Sequence, residues 1–185
     1  MSPGALALVS RERSLPGSTQ PGRSWDSSPD TNFVLHGFLR ASDGTITTLD
    51  APGAGTQAAT GTQATDINAN GVIAGTLLVS GATHSFFRDA TGAYTVFDPP
   101  QAGSKGSSAT GINTSGAIAG TYTDANSVMH GYIRNPDGSF VTIDDPNAPQ
   151  TANSLGTDVN HINAGGAVVG VYFDLNRARH GFVRE

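Results

Sequence analysis

Four short segments of one design stand at nearly equal intervals along the chain. They read His36-Gly37-Phe38-Leu39-Arg40, His84-Ser85-Phe86-Phe87-Arg88, His130-Gly131-Tyr132-Ile133-Arg134 and His180-Gly181-Phe182-Val183-Arg184. The histidines are 48, 46 and 50 residues apart. Each of the first three is followed by a glycine eight residues later (Gly44, Gly92, Gly138) and an aspartate fourteen residues later (Asp50, Asp98, Asp144). Each aspartate opens an Asp-x-Pro that ends at Pro52, Pro100 or Pro146. Fixed offsets across copies mean that one supersecondary unit is built repeatedly, and this reading precedes any other about the fold.

A second element lies between the histidine segments. It reads Ile-Asn-x-x-Gly followed by a small apolar run ending in Gly, with its asparagines at Asn68, Asn113 and Asn163. From that final glycine to the next histidine takes 9, 10 and 10 residues, whereas the stretch from Pro to Asn takes 16, 13 and 17. Length variation of this kind belongs to solvent-facing loops. One unit therefore reads as four short antiparallel strands. The first ends at Ile-Asn, whose asparagine and following glycine make a tight turn. The second spans Val72 to Leu78, Ala117 to Tyr122 or Ala167 to Phe173, and the third is the histidine strand. The fourth spans Thr45 to Asp50, Ala93 to Asp98 or Ser139 to Asp144, after an Asp-Gly or Thr-Gly hairpin turn. The period of two places histidine, aromatic ring and arginine on one face of the third strand and glycine and the aliphatic residue on the other. Glycine there signals close approach by a neighbouring sheet.

Composition agrees with an all-β chain. Glutamate occurs only at Glu12 and Glu185, and lysine only at Lys105, so helix-forming side chains are scarce. Cysteine is absent, which removes disulfides, thiolate metal sites and a cysteine nucleophile. The formal net charge is -5 and no basic stripe exists, so no nucleic-acid partner is expected. No apolar run reaches the length of a membrane span. The chain carries no recognisable signal peptide, because Ala5 to Val9 is too short for a secretion core.

The His-Gly-Phe-x-Arg strand preceded by Ile-Asn-x-x-Gly-x-Ile-x-Gly resembles the HAF-type extracellular repeat of bacteria over roughly residues 33 to 185. This chain departs from that pattern with Gly37, Gly131, Gly181 and Ser85 in place of alanine, and with Arg40, Arg88, Arg134 and Arg184 where the family commonly has tryptophan. The resemblance implies a β-propeller-like, often exported protein with no settled activity, and it carries over no catalytic residue. The fold class expected is thus all-β: a propeller-like array of four-stranded antiparallel units, incomplete or closed by oligomerisation. Residues 33–185 form the repeat domain and residues 1–32, rich in Pro, Ser and Gly, are expected to be disordered or weakly ordered. Thr45 to Asp50 could supply an outer strand to the last unit, which would leave the His36 strand redundant; then either residues 1–32 hide a degenerate half-unit or the array is open.

Recurrent histidine invites a metal site, but equivalent residues of adjacent blades stand too far apart to share an ion. His36, His84, His130 and His180 are expected instead to bond to the Asp-x-Pro aspartates or nearby backbone. Arg40, Arg88, Arg134 and Arg184 are expected to reach Asp50, Asp98 or Asp144. Asp124-x-Asn126 and Asp174-x-Asn176 read as Asx turns, since the rest of a calcium loop is missing. The glycine-rich stretches 53–61 and 103–111 lack the lysine and helix of a phosphate loop. Non-repeating His161, with Asp158 close by, is the one candidate for a local functional role; its approximate equivalents are taken as Ala64 or Ala109.

No catalytic residue, metal or cofactor is expected. The main functional expectation is a noncatalytic repeat module, an extracellular or surface binding scaffold whose variable loops, residues 53–66, 101–111 and 147–161, face a polar ligand such as a glycan. The alternatives are a hydrolase or lyase with a site at the propeller axis, and a structural fragment of a larger repeat protein. A homo-oligomer is a further expected partner arrangement.

Overall fold

The computed structural model describes residues 24–152 and 154–185, and every regular element among them is a β-strand. The first unit holds β1 (Ser24–Pro29), β2 (Leu35–Arg40) and β3 (Ile46–Leu49). The second holds β4 (Gly61–Ile67), β5 (Ile73–Val79), β6 (Ala82–Arg88) and β7 (Tyr94–Phe97). The third holds β8 (Ser107–Ile112), β9 (Ile118–Thr123), β10 (Met129–Arg134) and β11 (Phe140–Ile143). The fourth holds β12 (Thr157–Ile162), β13 (Val168–Phe173) and β14 (Arg179–Arg184). Within each unit sequence neighbours pair antiparallel, as short hairpin connections require. The second and third units are the complete four-stranded sheets expected from the repeat.

Two expectations about the ends are corrected. Ser24–Pro29 lies in the segment expected to be disordered, yet β1 pairs with β2 in the register that β5 keeps with β6: Asp26 stands opposite Phe38 as Gly75 stands opposite Phe86. The first unit thus starts ahead of the expected boundary at residue 33; the disorder expected for residues 1–23 lies outside the described residues. In addition, β3 pairs with its own neighbour β2, Gly37 opposite Leu49, so it supplies no strand to the last unit and the His36 strand is not redundant. The described residues form no closed barrel or closed propeller.

The units stack through one recurring joint. The aliphatic face of each packs on the first strand and aromatic face of the next. Leu39 and Leu49 meet Ala64, Ile67 and Ile73. Ala74, Phe87 and Phe97 meet Ala109, Ile112 and Ile118. Ala119, Ile133 and Ile143 meet Val159, Ile162, Val168 and Phe182. No unit buries both faces alone, so the core is the sum of its joints.

Backbone contact fixes the joints. Gly61, Gly106 and Gly156 all have positive φ, at 128°, 72° and 55°. A Cβ on them would fall 2.0, 1.9 and 1.9 Å from the carbonyl oxygens of Leu35, Thr83 and Met129, each the residue before a repeat histidine. Only glycine allows that approach, and the pairs Leu35–Gly61 and Thr83–Gly106 are the parallel bridges between units. The buried hydroxyl that follows each glycine ties the same corner. Thr62 Oγ1 accepts from the Ala51 N–H, Thr157 Oγ1 accepts from the Asp145 N–H, and Ser107 Oγ donates to Asp98 Oδ1.

Asparagine links the units along the stack. The side-chain oxygen of Asn68 accepts from the N–H groups of Asn70 and Val72, making the expected turn. Its amide then donates to the Asn113 carbonyl at 3.0 Å, and the Asn113 amide donates to the Asn163 carbonyl at 3.4 Å. A second ladder runs parallel to it. Thr65 and Thr110 sit at β-bulges, and their hydroxyls donate to the Ala109 and Val159 carbonyls of the following unit.

Candidate functional site

The first three repeat histidines each close a clamp across their hairpin. Nδ1 of His36, His84 and His130 donates to Asp50, Asp98 and Asp144 at 2.6, 2.6 and 2.9 Å. The register explains this: Gly131 pairs with Ile143, which sets His130 opposite Asp144. In three units the other ring nitrogen faces the aspartate of the preceding turn: Asp30 at 3.7 Å, Asp124 at 3.7 Å and Asp174 at 3.2 Å. All three are Asx turns, expected at Asp124 and Asp174 but not at Asp30. Asp124 Oδ1 accepts from the Asn126 and Val128 N–H groups, and Asp30 and Asp174 do the same in their own turns. They hold Phe33, Ser127 and Arg177 at φ of 62°, 62° and 61°, a left-handed conformation that costs an ordinary residue about 1 kcal/mol. Backbone hydrogen bonds hold the Asp30, Asp124 and Asp174 carboxyls below the ordinary carboxylate range, and the bond that His36 donates to Asp50 raises its imidazole above the ordinary histidine range. Tyr122 and Tyr172 stack on His130 and His180 at centroid distances of 5.0 and 4.9 Å.

The arginines do not reach the aspartates. Arg134 stands opposite Phe140, at the hairpin end of the strand pair, four residues or about 13 Å from the Asp144 end. Arg40, Arg88 and Arg134 instead lie beside Gly44, Gly92 and Gly138, and aromatic rings receive two of them. Arg88 lies over Tyr94, and Arg134 over Phe87 and Phe97 of the preceding unit at 5.1 and 5.0 Å. Arg184 donates to the Thr142 carbonyl across the last joint.

The joint between the second and third units holds a polar chain. Ser107 Oγ gives its single proton to Asp98 Oδ1, so Ser85, 2.8 Å from Ser107, donates to it. The Tyr132 hydroxyl, 2.8 Å from Ser85, then donates to Ser85. Ser85, Ser107 and Tyr132 are buried, and burial raises the Tyr132 hydroxyl above its usual range. The imidazole of His84 meets the other oxygen of Asp98, so the carboxylate lies between serine and histidine. That order cannot relay a proton from serine to histidine as a hydrolytic triad does.

A groove of about 530 Å³ opens beside this joint. It draws on all three stretches expected as variable loops, with Ala59 and Lys105 at loop positions of the first two; Asp158, from the third, stands on β12 and not in a loop. Thr83, Ser108, Thr110 and Thr121 contribute hydroxyl-bearing lining, and Leu78, Val79 and Met129 an apolar one. Thr121 donates to Asp158 Oδ1 at 2.8 Å, and Ser108 to Thr83 at 3.4 Å. Asp158 therefore belongs to the groove, while His161 does not. The register gives Asp66 and Gly111 as the equivalents of His161, each preceding Ile-Asn, in place of Ala64 and Ala109. A Cβ on Gly111 would lie 3.1 Å from His161 Nδ1 and 3.5 Å from Asp66 Oδ2, so the missing side chain leaves room for both. Asp66 also accepts from the Ile112 N–H, and burial raises its carboxyl.

The groove was only partly foreseeable. Two of its loops stand out by their length variation and Asp158 only as the neighbour of His161, while Thr83 and Thr121 lie on strands and carry no signal of their own. Among the described residues no three or more metal-ligating side chains cluster, and no helix is long and apolar enough to cross a membrane. Comparison with known proteins returns no matching family model, no matching curated protein and no matching solved structure.

Proposed function

We propose that the chain is a noncatalytic, propeller-like repeat module of the HAF type, exported to the cell surface or beyond, which binds a polar ligand of the glycan class. The observation that carries this reading is the groove between the second and third units, which gathers loop residues Ala59 and Lys105 together with strand residues that include Asp158 of β12. Its lining suits a sugar ring, which presents both hydroxyl groups and a C–H face. Thr83, Ser108, Thr121 and Asp158 offer donors and acceptors, while Leu78, Val79 and Met129 offer apolar contact. The buried serines serve the joint, since Ser107 and Ser85 spend their protons on a chain that ends at Asp98.

A glycan array followed by NMR titration of the best binder tests the proposal. Amide shifts are expected at Thr83, Ser108, Thr121 and Asp158, with at least tenfold weaker binding in Asp158→Ala. Absence of binding at millimolar glycan, or shifts confined to the opposite side of the sheets, overturns it.

A further inference from the structure

The joint between units has two complementary halves, and the described chain leaves one of each exposed. On the fourth unit the aliphatic half is open. Val169 is 46% and Val183 66% exposed, whereas Ala74 and Ala119, the equivalents of Val169, are buried in joints. Gly181 faces open space apart from the Gly170 carbonyl at 4.0 Å, while a Cβ on its equivalent Gly131 would strike Val159 at 2.4 Å. On the first unit the aromatic half is open. Ile46 is 63% exposed, and its equivalent Phe140 packs on Phe97 of the preceding unit. Phe38 is half-buried where Phe86 and Tyr132 are buried, and Arg40 is exposed where Arg134 lies over Phe87 and Phe97.

We propose that a second copy of this chain covers these surfaces, its first unit docking head to tail on the fourth unit of its neighbour. Continuity with an interface built three times inside the molecule identifies the occupant. Val183 and Val169 would receive Phe38 and Ile46, and Arg40 would lie over the apolar strand pair as Arg134 does. The contact is heterologous, so it leaves a free half at each end and extends with concentration instead of stopping at a dimer. It is also smaller than an internal joint, because the described part of the first unit brings no counterpart of β4, β8 or β12 to meet Asn163. The proposal does not depend on what the groove binds.

Sedimentation velocity of the full chain from micromolar to millimolar concentration tests it. The weight-average mass is expected to rise progressively above 18.9 kDa. Ile46→Glu and Val183→Glu alter exposed side chains and should keep the parent circular-dichroism spectrum and Tm. Each alone is expected to be monomeric, and an equimolar mixture to form a one-to-one dimer that grows no further. A parent that stays monomeric throughout, a variant that self-associates like the parent, or a mixture that stays monomeric overturns the head-to-tail contact.

Discussion

The joint between the second and third units and the joint between the third and fourth solve one packing problem in opposite ways. In the first, the strand position after the histidine is Ser85, and the ring facing it is Tyr132. Their hydroxyls join Ser107 and Asp98 in one buried chain. In the second, the same position is Gly131, and Val159 fills the space a side chain would occupy. Phe182 there has no hydroxyl to place. The polar joint needs every member, since a buried hydroxyl without a partner costs about 1–3 kcal/mol. The apolar joint needs only volume. A polar chain that fits one neighbour and no other specifies which units meet, the role buried polar groups serve best.

Transplanting the polar solution breaks the comparison most strongly. Gly131→Ser drives Cβ into Val159 and toward the Ile143 carbonyl, and overpacking of this kind costs about 3 kcal/mol. Denaturant melts should show this loss, and Val159→Ala should recover part of it in a double-mutant cycle. A cost unchanged by Val159→Ala would assign the clash to another neighbour.

A middle-sized effect comes from cutting the polar chain. Ser85→Ala leaves the Tyr132 hydroxyl buried without an acceptor and should cost about 2 kcal/mol. Adding Tyr132→Phe removes the stranded group, so the double variant should be more stable than Ser85→Ala alone. Equal stability of the two would mean that the Tyr132 hydroxyl gains nothing from Ser85.

The smallest effect is a titration. The folded-state value of His36 lies above the ordinary one, so its contribution is fully present below the unfolded value. It fades as pH rises through the folded value. Exposure at the clamp keeps the effect small. NMR should place the His36 midpoint above the ordinary histidine range, and Asp50→Asn should return it there. A midpoint unmoved by Asp50→Asn would show that the clamp does not act on the imidazole.

Much of this was legible in the sequence. A fourteen-residue offset across a tight hairpin sets His84 opposite Asp98, so the strands of the complete units and the histidine clamps followed from spacing, whereas the bulge at Thr110 shifted the register that relates His161 to Gly111. The arginine partners were misjudged for the same physical reason, because that register puts Arg88 at the far end of the strand pair. The strand at Ser24–Pro29 could not be placed from the sequence because it lacks the apolar run of Ile73–Val79. One signal was available: Asp30-x-Asn32 stands six residues before His36, as Asp124 and Asp174 stand before His130 and His180. The amide ladder from Asn68 to Asn113 to Asn163 was not readable, since a turn asparagine carries no mark of which carbonyl its second end will meet. Asp158 was singled out only as a neighbour of the outlier His161, and its partner Thr121 becomes its neighbour only through stacking.

That ladder has a consequence for how such a chain can change. Asn68 and Thr65 address main-chain carbonyls, which every residue possesses, so these ladders make no demand on the side chains of the unit that follows. A copied or reordered unit would find its anchoring points already in place. Side-chain pairs such as Ser85 with Tyr132 and Thr121 with Asp158 would object to a new neighbour, so they are the addresses written over an otherwise general set of anchors.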